Sequence, residues 1–307
     1  MSQVRQRPEE GERRVMGPLA ADEVLVWCRA TGALSEEDVR TARRFLSEDE
    51  CVRADRLRSD AARRDFIVAH DLLRRTLSAY GPFAPGDWRF ITDRFGKPSI
   101  DGRGEDVPCL SFSLSHTAGC VACAISSDTA VGVDVERTDR RVVVTQLADR
   151  YFSEREAAEL RALSESMRLV RFIELWTLKE AYLKSVGVGL SGSLSAVSFQ
   201  FDAAGSMDVT GPSNLADWHF ALFAPLPDVR LGVAVLGATP PRLVVRAQDG
   251  WHSGSSQHLI AGAARLPPER DGKLLRVERD RSGTPAPQQG QYGCWRPRTD
   301  LNRRPRA

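Results

Sequence analysis

A chain of 307 residues that is 42% hydrophobic is long enough to bury a sizeable core, as one large domain or two small ones. Its formal charge of +2 is near balance, which excludes the whole-protein field that gathers nucleic acid. No apolar run approaches the roughly 20 residues of a membrane span, and the N-terminal "MSQVRQRPEEGERRVMGPLAADE" is charged with no apolar h-region, so the expectation is a cytoplasmic protein that binds neither membrane nor nucleic acid.

Residues 1–20 differ in composition from the middle of the chain and are expected to be a disordered N-terminal segment. A first unit, residues 21–127, runs from a strand "EVLVWCRA" through a helical "RRDFIVAHDLLRRTLSAY" to strand-like "DWRFITD", "LSFSLSHT" and "GCVACAIS". A second, residues 128–239, runs from "AVGVDVER" through helical "RFIELWTLKEAYLKSV" to "AVSFQFD", "DWHFALFA" and "RLGVAVLG". Both read strand, helix, then three strands, a repeat carried by element order and length rather than by identity. The expected fold class is therefore α+β, two similar subdomains, each an antiparallel sheet with packed helices, and the cleft between them is the expected ligand site. Residues 240–307, rich in Arg, Pro, Gly and Gln with few aliphatics, are expected to form a disordered basic tail.

Six cysteines scattered through a chain of this size fit reduced thiols. Cys120 and Cys123 form a C-x-x-C, "CVAC", but inside an apolar strand, where residues three apart face opposite ways and cannot share a metal.

The second helix poses a sharper question. Leu169, Phe172, Ile173, Trp176 and Leu183 make one apolar stripe at steps of three and four, and Glu180 falls on it. Either Glu180 lies at the stripe's edge and pairs with Lys184 one turn on, or it points into a site where a cation waits, since an unpaired buried charge costs several kcal/mol. In "VGVDVER", Asp134 and Glu136 share a strand face, either solvated near a turn or converging with Glu180 as a hard-cation site of the kind that holds Mg²⁺ against phosphates. On the second reading Asp134→Ala relieves repulsion between carboxylates and is expected to hold or raise stability without metal. Basic and polar groups stand ready for phosphates: Lys97 in the "FGKP" turn, Ser115 and His116 in "SLSHTAG" between two strands, Lys184 beyond Glu180, and Arg63 and Arg64 at the start of the first helix.

In this order "FGKP", "SLSHT", "GVDVE" and "WTLKEAYLKSVGVGL" resemble the motif blocks of the 4'-phosphopantetheinyl transferase family, in its larger, pseudo-dimeric (Sfp-like) type. The resemblance covers about residues 20 to 237. It implies two halves related by a pseudo-twofold within a monomer, and transfer of the phosphopantetheine arm of coenzyme A to a serine of an apo acyl or peptidyl carrier protein, with release of adenosine 3',5'-bisphosphate. It further implies that Asp134, Glu136 and Glu180 hold Mg²⁺, that Glu180 is also a base for the incoming hydroxyl, directly or through water, and that Lys184 serves the departing phosphate. Ser115, His116, Lys97, Lys184 and, less directly, Arg64 would contact coenzyme A. A noncatalytic module that binds coenzyme A or a carrier protein, and a metal-dependent phosphodiesterase, are the alternatives.

Overall fold

Strands that are apolar on both faces need cover on both. Along β1 (Glu23–Ala30), Leu25 and Trp27 enter one core while Val24, Val26 and Cys28 enter another. β5 (Cys120–Ser127) divides the same way, with Val121, Cys123 and Ile125 on the first face and Cys120, Ala122 and Ala124 on the second. The first face is covered by a long helix, α3 (Asp60–Tyr80), through Val68, Leu72 and Leu77. The second is covered by another sheet, through Val131, Val133 and Val135 of β6 (Val131–Arg137) and Val229, Leu231, Val233 and Val235 of β10 (Val229–Leu236). The outer face of that sheet carries α6 (Glu165–Val186). The result is four layers, helix, sheet, sheet, helix, seen in a computed structural model that describes residues 16–102, 109–140, 142–187, 193–202 and 207–248.

The remaining elements complete a repeat. The first unit adds α1 (Glu36–Arg43), α2 (Glu48–Asp55), a ribbon of β2 (Phe90–Thr92) with β3 (Pro98–Ile100), and β4 (Leu110–Thr117). The second adds α4 (Val144–Tyr151), α5 (Glu154–Ala162), a ribbon of β7 (Ser198–Phe201) with β8 (Met207–Thr210), and β9 (Trp218–Phe223). Each unit thus runs strand, three helices, ribbon, two strands. In each sheet the unit's first strand pairs antiparallel with its last, and the last with the one before it: β1-β5-β4 and β6-β10-β9.

The expected order of strand, helix and three strands left out two short helices and a ribbon strand per unit. Three of these four helices, α1, α2 and α5, carry a local signal that apolar periodicity does not report: Ser35 with Asp38, Ser47 with Glu50, and Ser153 with Glu156 each form a reciprocal capping box. Two of the box carboxylates also reach the long helices, Glu50 to Arg74 and Glu156 to Lys179.

The expected tail boundary at residue 240 is corrected. β11 (Arg242–Gln248) pairs parallel with β1 at the edge of the first sheet, with Val244 packing on the α3 side and Leu243 and Val245 on the inter-sheet side. Only three consecutive apolar residues, Leu243 to Val245, stand between Arg242 and Arg246, a run short enough to lose in a polar stretch. Residues 1–15 and 249–307, and with them most of the two expected disordered segments, lie outside the described residues.

Two glycines set how closely α6 approaches. A Cβ at Gly132 would run into the Ala181 carbonyl oxygen and stand 2.7 Å from the Ser185 nitrogen, and one at Gly232 would stand 2.7 Å from the Thr177 carbonyl oxygen. The helix backbone therefore lies directly on β6 and β10. The cysteines of "CVAC" face opposite cores as expected, and Cys120 instead meets Cys28, their sulfurs 3.3 Å apart as free thiols.

Candidate active site

The site forms where β4 and β6, edge strands of the two stacked sheets, come together. β4 and β6 run close without a backbone ladder, and the hydroxyls of Ser113 and Ser115 accept the β6 N–H groups of Val133 at 3.0 Å and Val135 at 3.4 Å. That stitching fixes the register between the units and brings every second residue of one strand against every second residue of the other. Ser115 then donates to Asp134 Oδ1 at 2.8 Å, and Thr117 to Glu136 Oε2 at 3.3 Å.

From the other side α6 supplies Lys184. Its ammonium donates to Asp134 Oδ1 at 2.6 Å and to Ser115 Oγ at 2.7 Å, and Lys184, Asp134 and Ser115 are all buried. The second oxygen of Asp134, Oδ2, is buried with no hydrogen-bond partner among the described residues. Arg140, beyond the end of β6, donates to Glu136 Oε2 at 2.6 Å and to Thr117 Oγ1 at 2.8 Å.

Glu180 settles its own question. It is 8% exposed on the buried face of α6, and among the described residues none hydrogen-bonds its carboxylate. Because Lys184 reaches across the fold to Asp134 and Ser115, a helix-local pairing does not account for either residue. Burial, and then the Asp134 charge, push the Glu180 carboxyl up to about 7, with Lys184 opposing. Glu136 is pushed up to about 8 by burial and then by Asp134, with Arg140 and Lys184 opposing. The buried acids are thus short of positive charge. Among the described residues no three acidic, His or Cys side chains are drawn together tightly enough to make a ready cage. Mg²⁺ does not require one, since it takes one or two carboxylates and completes its shell with water and phosphate oxygens. An unpartnered Asp134 Oδ2 beside two carboxyls held away from ionisation by burial fits a hard cation.

The other expected residues divide. Lys97 sits in a turn made by Asp93 Oδ1, which accepts the N–H groups of Phe95 at 3.2 Å and Lys97 at 3.0 Å; its ammonium crosses to the Ser185 carbonyl at 2.7 Å, beside Lys184 in sequence. Burial lowers Lys97 to about 8. His116 is not brought to the same place as Ser115. Both lie within β4 rather than between strands, as neighbours on opposite faces, and His116 influences His70 of α3. Arg63 is tied to Asp60 and the Leu57 carbonyl, whereas Arg64, half-buried at the start of the second turn of α3, has no hydrogen bond or ion pair among the described residues. Residues 188–190 of the "GVGL" block lie outside the described residues. Thr117 and Arg140 were missed: each is an ordinary residue type, and only the β4–β6 register reveals them.

A sequence profile described as the 4'-phosphopantetheinyl transferase superfamily matches residues 130–234, which hold Asp134, Glu136, Glu180 and Lys184. The chain is 34% identical to the 4'-phosphopantetheinyl transferase HetI of Nostoc sp. over 173 residues, 56% of this chain and 72% of that one. It is 28% identical to the 4'-phosphopantetheinyl transferase Sfp of Bacillus subtilis over 202 residues, 65% of this chain and 86% of that one. Among solved structures, a holo-(acyl-carrier-protein) synthase from Bacillus anthracis aligns with a TM-score of 0.31 at 19% identity, covering 36% of this chain and 98% of that one.

Proposed function

The chain belongs to the 4'-phosphopantetheinyl transferase superfamily, and from that premise we propose that it moves the phosphopantetheine arm of coenzyme A onto a serine of an apo acyl or peptidyl carrier protein. The serine oxygen bonds to the phosphorus that bears the arm, the bridging P–O bond of the pyrophosphate breaks, and adenosine 3',5'-bisphosphate leaves. The observation that carries the reading is Asp134: one oxygen bridged by Lys184 and Ser115, the other buried without a partner, with Glu136 and Glu180 alongside.

In this reading Asp134, Glu136 and Glu180 hold Mg²⁺, which when bound neutralises charge on the pyrophosphate. Glu180, buried on the face of α6 that looks toward Asp134, takes the proton of the incoming hydroxyl, directly or through a water. Lys184 turns from Asp134 toward the departing phosphate and steadies the charge that builds there. Lys97 and Ser115 line the approach of the coenzyme A phosphates, and His116 and Arg64 contact it from the α3 side. The nucleophile comes from the partner, so no internal Ser–His pair is needed.

The test is to incubate the protein with coenzyme A, Mg²⁺ and an apo carrier protein and to weigh the carrier intact. A gain the size of phosphopantetheine is expected. An unchanged carrier with coenzyme A bound identifies a noncatalytic module, and coenzyme A breakdown without a gain identifies a hydrolase.

A further inference from the structure

Asp134 and Glu136 stand two residues apart on β6, and each has its oxygens divided in the same way. On Asp134, Oδ1 takes a β4 hydroxyl, Ser115, and a cation, Lys184, while Oδ2 has no partner. On Glu136, Oε2 takes the next hydroxyl of that β4 face, Thr117, and a cation, Arg140, while Oε1 has no hydrogen bond among the described residues. We infer that Thr117 and Arg140 are positioning residues: together they clamp one oxygen of Glu136 so that the other faces the divalent cation, an inference that rests on the transferase reading above.

The clamp answers a physical need. A glutamate has one more rotatable bond than an aspartate, and the Asp134 charge repels Glu136. Unheld, Glu136 would rotate out toward solvent. Thr117 is buried in β4 and cannot follow it. Arg140 is set by the turn that ends β6, where the Thr138 N–H donates to the Asp228 carbonyl at 2.8 Å and Arg137 pairs with Asp139 and Asp228. Carboxylates that bind metal are themselves hydrogen-bonded, and removing such an outer partner costs about 10 to 100-fold in metal affinity. The sign is informative here. Arg140 is a cation beside a cation site, so its charge alone lowers metal affinity while its geometry raises it. Variants that keep the charge and remove the geometry separate the two.

The probe is Mn²⁺, followed by electron paramagnetic resonance of the free ion, added to the full chain with coenzyme A present. Thr117→Val removes the hydroxyl at constant charge and near-constant volume, and Arg140→Lys keeps the charge on a shorter, unforked donor. Each is expected to weaken Mn²⁺ binding about tenfold, with the metal-free melting temperature near that of the parent. Thr117→Ser, which keeps the hydroxyl, and Arg155→Lys, an exposed arginine of α5 outside the clamp and the turn that sets it, are expected to bind as the parent does. Affinity within twofold of the parent for both Thr117→Val and Arg140→Lys overturns the inference, as does an equal loss in Arg155→Lys. Should Thr117→Val fail to fold, Arg140→Lys decides alone, since Arg140 is partly exposed and Thr117 is not. A parent that binds no Mn²⁺ with coenzyme A present overturns the metal site itself, and the clamp with it.

Discussion

The strand that opens each unit turns one face to that unit's long helix. In the first unit the residues on this face are Leu25, Trp27 and Arg29; in the second they are Gly132, Asp134 and Glu136. The scaffold is the same and the contents are opposite. The first face is filled with Leu and Trp against α3, whereas the second is hollowed by a glycine, which lets α6 descend, and lined with carboxylates. Buried ion pairs do not make the distinction. Glu50–Arg74 in the first unit and Glu156–Lys179 in the second are both buried, and both carboxylates also satisfy backbone N–H groups, at Ser47 for the first and at Ser153 and Phe199 for the second. What marks the site is imbalance: three acids gathered around Lys184 and Arg140, with one buried oxygen left over.

Lys184→Ala probes that imbalance with the largest expected effect. It leaves Asp134 buried beside Glu136 and Glu180 without its cation, at a cost of about 3 to 5 kcal/mol, and Arg74→Ala in the first unit should cost about as much by stranding Glu50. Only Lys184→Ala should also lower kcat at saturating coenzyme A and Mg²⁺, by about 10² to 10³ among molecules that remain folded. Urea unfolding and kcat measured on both variants check this, and a kcat for Lys184→Ala within about twofold of the parent removes its role at the phosphate. Asp134→Ala should cost less stability than Lys184→Ala, because it strands the lysine but relieves the two other acids. The sequence alone pointed to relief only, since nothing in it revealed the Lys184 contact.

Gly132→Ala comes next. Its Cβ meets helix backbone, which cannot give way, so a loss of about 3 kcal/mol is expected. Gly32, after β1 in the first unit, has open space around it, and Gly32→Ala should stay within about 0.5 kcal/mol of the parent. Equal effects in a thermal melt would mean that the close approach of α6 is not what the glycine secures.

A chain ending at residue 239 lacks β11, whereas one ending at Gln248 keeps it. The shorter chain should be less stable by about 2 to 3 kcal/mol, from the half-buried Leu243, Val244 and Val245. Amide exchange should show the loss in β1 ahead of β6, and protection lost equally in both sheets would show that the strand supports the whole molecule rather than one unit.

The smallest effect lies in pH. Burial lowers His70 to about 4, against attraction from Glu50 and alongside repulsion from Arg53 and His116. A base whose folded pKa is depressed favours folding in its neutral form. Its contribution is complete above its ordinary pKa of about 6.5, falls as pH drops toward 4, and stays lost below that. After discount for the partial exposure of His70, about 1 kcal/mol should disappear over that window. His70→Gln should flatten the stability slope between pH 6.5 and 4 if this histidine supplies it.

What could be read in advance follows the range of each interaction. β1, β5, β6, β10, α3 and α6 were legible because burial writes an apolar period into their own residues. Asp134, Glu136, Glu180 and Lys184 were legible because strand and helix spacing place them on shared faces. The capping helices were written in Ser-x-x-acid pairs, a signal that a search for apolar stripes passes over. Thr117 and Arg140, and the bond from Lys97 to Ser185, depend on how the two units meet, which residues far apart in sequence decide, whereas the division of Ser115 from His116 follows from strand alternation once "LSFSLSHT" is one strand through Thr117.

The parallel strand β11 also has a history during synthesis. β1 leaves the ribosome ahead of the other described elements, and the partner on its outer edge begins at Arg242, paired in register with Glu23. Until that late segment emerges, β1 presents an open row of N–H and C=O groups flanked by apolar side chains, the kind of edge that recruits strands from other chains. Closing it requires a loop that spans all the described elements between β1 and β11, so the edge strand should dock among the last steps of folding and among the slowest. Production yield, more than final stability, is where a weakened β11 would first be felt.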